Sequence, residues 1–414
     1  MALATEQELD SQYIMQTFGR KPVEFVRGEG MRLYDDTGKE YLDFLAGIGC
    51  VALGHSHPAV VAAMREQTEK LIQASNYYYI AGRGELAEKL DALLNMYLDE
   101  SAIGQGKGRP ETWRTFFANT GTEAVEGAIK IARKYGRERL DGAHTIVTLE
   151  RSFHGRTMGA LAATGQPVKQ EAFAPMPDGF AHVAFDDAGA LVHELDERAH
   201  GDICAVLLEC IQGEGGVWPC SEEYIKAVRE ETESRGILLM VDEVQTGMFR
   251  TGKPFAFQQY GILPDVVCMA KGLGGGMPIG AVCARGEYGQ LLQPGEHGTT
   301  FGGNALAVAA ANAVIDTLNG MDAGEHVTQT GEYLRERLSK IPAICDVRGL
   351  GLMAGADIRT DVAPDVVASA LREGLVINST GPHTLRFLPP LICTKGDIDS
   401  MIVILENVLE GYHD

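Results

Sequence analysis

The chain is short of positive charge: 36 Lys and Arg stand against 57 Asp and Glu, a formal net charge of −21 over 414 residues. A surface that negative repels phosphate backbones and anionic lipid, so no nucleic-acid or membrane-surface partner is expected. Any anion site has to be assembled locally, from a few placed cations and backbone amides. Cysteine is sparse too. None of the eight stands in a C-x-x-C pair or at zinc spacing, and most lie in apolar runs such as Ile203-Cys204-Ala205-Val206. They read as small core residues of a reducing compartment, with no metal site. The N-terminus, MALATEQELD, has no basic-then-apolar signal pattern. The longest stretch free of formal charge, roughly 297–315, carries Gly302-Gly303-Asn304 and an Ala-rich run, which suits a buried helix rather than a membrane span. A cytoplasmic location is expected.

The common nucleotide and hydrolase signatures are also missing. The Gly-Lys pairs run on into Glu40, Gly108 and Pro254, so there is no P-loop. No G-x-G-x-x-G follows a strand, and neither H-E-x-x-H nor G-x-S-x-G occurs. An enzyme here needs another cofactor, or paired carboxylates.

What is present is ordinary globular composition, 45% hydrophobic and 22% charged, in a chain long enough for two or three domains. From about 114 to 284, short β-branched runs alternate with helical patterns. The expected strands are Arg114–Phe117, Thr145–Leu149, Ile203–Glu209, Ile237–Asp242, Val266–Met269 and Ile279–Ala284. Between them, 122–137 repeats Val125, Ala128, Ile129 and Ala132 at helical spacing, and 221–235 opens on Ser221 with Glu222 and Glu223 in its first turn. Such alternation predicts an α/β fold, a mostly parallel sheet with helices on both faces. The ends differ: 23–45 reads as hairpin strands around Asp35-Asp36-Thr37-Gly38, and 346–414 as strands 347–357 and 384–388 with helices 365–373 and 397–410.

Parallel sheets bind ligands at the carboxyl ends of their strands, and four such ends carry unusual residues. Phe117-Ala118-Asn119-Thr120-Gly121-Thr122 leads from a strand into a helix whose free amides suit a phosphate; taken alone it reads more readily as a plain N-cap at Thr120 or Thr122. Asp242-Glu243-Val244-Gln245 ends an apolar strand, where a carboxylate is costly unless a cation or donor meets it, and a structural ion pair would do. Lys271 follows another apolar strand and precedes Gly272-Leu273-Gly274-Gly275-Gly276. There it is either a partly desolvated nucleophile or a snorkelling surface lysine. Phe153-His154-Gly155-Arg156 follows a fourth, with an aromatic that is usually core and an arginine that is usually solvated. Together, a phosphate cradle, a carboxylate, an aromatic face and a poised lysine are the parts that hold pyridoxal 5′-phosphate.

These motifs, with Tyr13–Arg20, Tyr41–Ile48, Leu53-Gly-His-Ser-His-Pro58, His297–Asn304 and Leu385–Pro390, make nearly the whole chain resemble the class III pyridoxal-phosphate aminotransferases. The resemblance implies the fold-type-I architecture: a large cofactor-binding domain over 66–310 and a small α+β domain from both termini, 1–65 and 311–414. On matching positions it implies Lys271 as the Schiff-base lysine and proton carrier, Asp242 on the pyridine nitrogen, and Gln245 near the ring hydroxyl. Phe153 would stack on the ring, Gly121 and Thr122 would hold the phosphate, and Glu243 and Val244 belong to the cofactor-binding run. Thr300 would reach the phosphate of a neighbouring subunit, making a homodimer with shared sites. Arg156 would clamp the substrate α-carboxylate, Thr299 would contact the substrate, and Arg386 would pair with Glu214 and open for 2-oxoglutarate.

The subgroup pointer, Tyr13–Arg20, implies transfer of the terminal amine of N2-acetyl-L-ornithine to 2-oxoglutarate, a step of arginine biosynthesis. Ornithine, succinylornithine, 4-aminobutyrate and N-succinyl-diaminopimelate would be handled by the same lysine and aspartate. An aminomutase or a non-catalytic cofactor-binding regulator would be the rival classes. Two positions depart from the family pattern: Cys210 where proline is usual, expected to loosen a strand end, and Phe249 where glycine is usual, in a turn that often needs positive φ.

Overall fold

The computed structural model describes residues 3–97, 111–197 and 202–412. Its centre is a seven-stranded sheet in the order Trp113–Ala118, Gly280–Arg285, Val266–Met269, Leu238–Asp242, Ile203–Leu208, Thr145–Leu149 and Phe180–Val183. Six strands run parallel, and Gly280–Arg285 is antiparallel to both its neighbours. The inner strands Ile203–Leu208, Leu238–Asp242 and Val266–Met269 are almost wholly apolar because both faces are covered. Leu207, Met240 and Cys268 face the helix Gly121–Arg139 through Ala124, Val125 and Ala128. Their neighbours Leu208, Val241 and Val267 join the opposite core with Phe255, Phe257 and Val308.

Six of these strands fall on the runs expected from sequence, within one or two residues. The seventh, Phe180–Val183, was not foreseen: it is a four-residue edge strand with an outward His182. The helix expected at 122–137 spans Gly121–Arg139, and that at 221–235 is Glu222–Arg235, with Ser221 Oγ accepting from Tyr224 N at 3.2 Å. The uncharged stretch after 297 becomes the helix Ala305–Gly320, capped by Asn304. Among the described residues no helix is long and apolar enough to cross a membrane.

Two smaller sheets flank the centre. Phe25–Glu29, Arg32–Asp35 and Glu40–Asp43 form an antiparallel sheet, to which Leu375–Val376 adds in parallel. Segments from both ends of the chain therefore share one sheet. The stretch read as a single strand over 347–357 is a hairpin, Ile344–Leu350 with Met353–Ile358. Gly351 turns the chain at φ +53°, and a Cβ there would lie 2.5 Å from the Arg250 carbonyl, so only glycine fits. Thr384–Phe387 pairs with the second arm and brings Arg386 toward the central sheet.

Phe249 does sit in left-handed backbone, φ 62°, as does Met248 at φ 55°. Its ring is buried in the core, opposite Gly324, so apolar burial offsets the strain of a bulky residue there. Cys210 does not loosen its strand end. It is fully buried, and its carbonyl accepts from Cys220 N at 3.0 Å and from the Tyr260 hydroxyl at 3.4 Å. Most cysteines are buried as expected, but Cys345 is exposed.

Candidate active site

The carboxyl ends of the central strands open into one cavity of about 430 Å³. Gly121, Thr122, Phe153, Arg156, Glu214, Asp242, Val244, Gln245 and Lys271 all line it, so residues up to 150 positions apart converge there. The residue types follow from the strand ends that deliver them.

Lys271 follows Val266–Met269, with its backbone at φ +36°. Glycines make room around it: a Cβ on Gly272 would lie 3.3 Å from Met248 Cβ. Burial pushes the Lys271 amine below the usual lysine range, and Arg386 adds to that, while Glu214, Cys50 and Asp242 oppose it. Asp242 is 4% exposed and ends its strand inside the cavity. Its Oδ1 accepts from Val244 N at 3.0 Å, and its Oδ2 lies 2.9 Å from His154 Nδ1. The His154 side chain is wholly buried, its Nδ1 faces the Asp242 carboxylate and its Nε2 has no partner.

Gly121 and Thr122 open the helix Gly121–Arg139, so their amides have no intrahelical acceptor. Thr120 Oγ1 caps Glu123 N instead. A Cβ on Gly121 would stand 2.7 Å from Val244 Cγ1. Thr122 Oγ1 is tied to Thr157 Oγ1 at 3.1 Å and accepts from Arg156 N at 3.2 Å. The Arg156 guanidinium lies 5.4 Å from the Phe153 ring centre.

Glu209 also lines the cavity, at the end of Ile203–Leu208. Its Oε2 accepts from Phe153 N at 3.0 Å and its Oε1 from Gly213 N at 3.3 Å. Burial raises its carboxyl to about 7, with His154 opposing and Asp242 reinforcing the rise. Neither Glu209 nor His154 was given a role from sequence. A carboxylate closing an apolar strand marks Glu209 in the sequence as much as Asp242.

Four expected site residues are not among those lining this cavity. Glu243 turns away: its carboxylate accepts from Phe257 N at 2.9 Å and from Thr246 Oγ1, and burial raises it to about 7. Arg386 lies one layer behind, 2.5 Å from Glu214 Oε1 and 3.3 Å from Gln245 Oε1. Burial would raise Glu214, but Arg386, Lys271 and Gln245 outweigh it and hold the carboxyl low. Thr299 and Thr300 line a neighbouring hollow with Tyr77 and Arg83. Asn119, on the wall of the main cavity, reaches Thr299 Oγ1 at 3.0 Å.

The donor set fits pyridoxal phosphate: unpartnered helix-start amides, a buried carboxylate with its own histidine, an aromatic face and a desolvated lysine in one cavity. Among the described residues no cluster of metal-ligating side chains competes with it.

Comparison with known proteins agrees with this geometry. The family model described as aminotransferase class-III matches residues 15–409. The acetylornithine aminotransferase of Caldanaerobacter subterraneus subsp. tengcongensis is 44% identical over 97% of this chain and 98% of its own. That of Aquifex aeolicus is also 44% identical, over 96% of this chain and 100% of its own. In structure, the ornithine aminotransferase of Toxoplasma gondii matches with a TM-score of 0.90 at 31% identity, covering 100% of this chain and 96% of that one. The acetylornithine aminotransferase of Elizabethkingia anophelis matches with a TM-score of 0.84 at 30% identity, covering 99% of each. From one end of its sheet to the other, the chain belongs to the class-III aminotransferases.

Proposed function

We propose that this pyridoxal-phosphate enzyme transfers the terminal amine of N2-acetyl-L-ornithine to 2-oxoglutarate, giving N-acetyl-L-glutamate 5-semialdehyde and glutamate. The reading rests on Lys271, Asp242 and Arg156 sharing one cavity, in a chain 44% identical along its length to acetylornithine aminotransferases.

Pyridoxal phosphate supplies a carbonyl that exchanges amines and a ring that draws electrons from the carbon losing its proton. This chain's residues do the rest. Lys271 Nζ, whose pKa burial lowers, would take the proton from the amine-bearing carbon of the donor. Asp242 would hold the proton on the ring nitrogen, with His154 orienting Asp242. Phe153 would cover a face of the ring, Gln245 would serve the ring hydroxyl, and the Gly121 and Thr122 amides would take the phosphate. Arg156 clamps the α-carboxylate, which places the far end of the donor at the reacting atom. The Glu214–Arg386 pair masks the second arginine while the monocarboxylate donor is bound and parts for the second carboxylate of 2-oxoglutarate.

We further infer a homodimer. Thr300 is exposed and lines a hollow with Tyr77, and the rings of Tyr77, Tyr78, Tyr79 and Phe301 are exposed, as apolar side chains that another subunit covers would be. Thr300 would then serve the partner's phosphate. Comparing kcat/KM across amino donors with 2-oxoglutarate fixed tests the assignment. N-acetylornithine should lead ornithine and 4-aminobutyrate, and a preference for either of those would overturn it.

A further inference from the structure

The turn that carries Glu214, residues 213–217 between Ile211–Gln212 and Trp218–Pro219, is held by two arginines of a flanking sheet, and the mechanism uses only one of them. Arg348 lies opposite Gly355, and Gly355 opposite Arg386. The three form one row across Ile344–Leu350, Met353–Ile358 and Thr384–Phe387 and share a face. Arg386 Nη1 donates to Gly213 O at 3.3 Å, at the start of the turn. Arg348 Nε donates to Gly216 O at 2.8 Å, near its end. Between them Gly355 lets the turn approach the sheet: a Cβ there would lie 3.0 Å from Val217 Cβ and 3.1 Å from Gly216 O.

The anchor at Gly216 is itself held. Arg348 is 8% exposed, and its guanidinium donates to Asp357 Oδ1 at 2.9 Å, Thr384 Oγ1 at 3.2 Å and Asp346 Oδ2 at 2.6 Å. It also lies 3.8 Å from the Trp218 ring centre. Next in the turn, Val217 stands at φ 58°, a strained conformation for a β-branched residue. Its side chain is fully buried with Met353 and Leu388. Backbone strain of this kind persists only where the surroundings hold it, and Arg348 supplies the polar part of that hold.

We propose that Arg348 is a positioning residue: by anchoring Gly216 it keeps Glu214 within reach of Arg386 and favours the masked state in which the monocarboxylate donor reacts. This rests on the Glu214–Arg386 reading above and deepens it. With the anchor gone the turn has more conformations, and fewer of them place Glu214 on Arg386. Arg386 is then a buried cation without its carboxylate while the donor is bound, which is costly. The second carboxylate of 2-oxoglutarate meets Arg386 directly and escapes that cost. Loss of the anchor therefore penalises the donor half of the reaction and spares the acceptor half.

The readout is kcat/KM for the preferred amino donor divided by kcat/KM for 2-oxoglutarate, measured on the holoenzyme. Donor and acceptor occupy the site in turn, so each value reports its own half of the reaction, and a general loss of folded enzyme cancels in the ratio. Arg348→Gln should lower the ratio about tenfold, the worth of one hydrogen bond from a charged donor. Gly355→Ala, which pushes the turn off the sheet with Arg348 in place, should lower it too and carries the test where Arg348→Gln does not fold. Glu214→Gln should lower the ratio by itself, and adding Arg348→Gln to it should change nothing further, because both act through one contact. An unchanged ratio in Arg348→Gln, or in Gly355→Ala where only that variant folds, overturns the proposal. A full additional fall in the Glu214→Gln background does the same. If Glu214→Gln alone leaves the ratio at the wild-type value, the Glu214–Arg386 reading itself fails and takes the proposal with it.

Discussion

Lys271, Asp242 and Glu209 show how burial divides labour among charged groups at the ends of apolar strands. Desolvation lowers the lysine's pKa, the aspartate keeps a histidine at 2.9 Å, and the glutamate is raised to about 7. Arg156→Ala removes the bidentate clamp and should raise KM for N-acetylornithine at least about tenfold, the worth of a charge-assisted hydrogen bond. Cofactor affinity, read by fluorescence titration of the apo-protein, should barely move. An unchanged KM would remove Arg156 from substrate binding. Glu243 tests the electrostatics away from the site. Its ordinary pKa is 4.5 and burial raises it to about 7. Between those values the unfolded chain has released a proton that the folded protein still holds, so Glu243 lowers stability as pH rises toward 7. Glu243→Gln should flatten that part of the apo-protein's Tm–pH profile, by up to about 3 kcal/mol. A slope as steep as wild type would show that Glu243 is ionised in the fold.

At the scale of elements, strands with both faces buried were legible because their runs are unbroken: Ile203–Leu208 and Val266–Met269 contain no polar residue except cysteine. Phe180–Val183 was not, since four residues with a central histidine carry too little pattern. The break at Gly351 was hidden because Gly349 and Gly355 stand in the same stretch, and nothing in the sequence singles out Gly351 until the Arg250 carbonyl approaches it. The site was legible where a strand end breaks the apolar rule, at Lys271 and Asp242. His154 was less so, because its role depends on Asp242 arriving from 88 positions away. The first turn of Gly121–Arg139 carries its own prediction. Gly121→Ala drives a methyl against Val244, 2.7 Å away, beside the amides assigned to the phosphate. Cofactor affinity should fall at least about tenfold, while the apo-protein still unfolds cooperatively. Unaltered affinity would place the phosphate elsewhere.

For the whole molecule, the net charge of −21 sets the background against which Arg156 and Arg386 act. A few cations gathered at one cavity in an acidic protein give a local anion site without attracting nucleic acid to the surface. The exposed rings at Tyr77, Tyr79 and Phe301 mark the other large-scale feature. Light scattering should give twice the chain mass of 44.6 kDa. Tyr77→Asp with Phe301→Asp should weaken that assembly and lower activity with it, if Thr300 serves the partner's site. A fully active monomer would exclude shared sites.

The most direct measurement is covalent. The protein is purified with pyridoxal phosphate supplied, reduced with borohydride, digested, and its pyridoxyl label mapped by mass spectrometry. One labelled peptide containing Lys271 is predicted, and no label in Lys271→Ala, which should stay folded and lose turnover. Label on another lysine, an unlabelled wild type, or sustained turnover by Lys271→Ala would contradict the account.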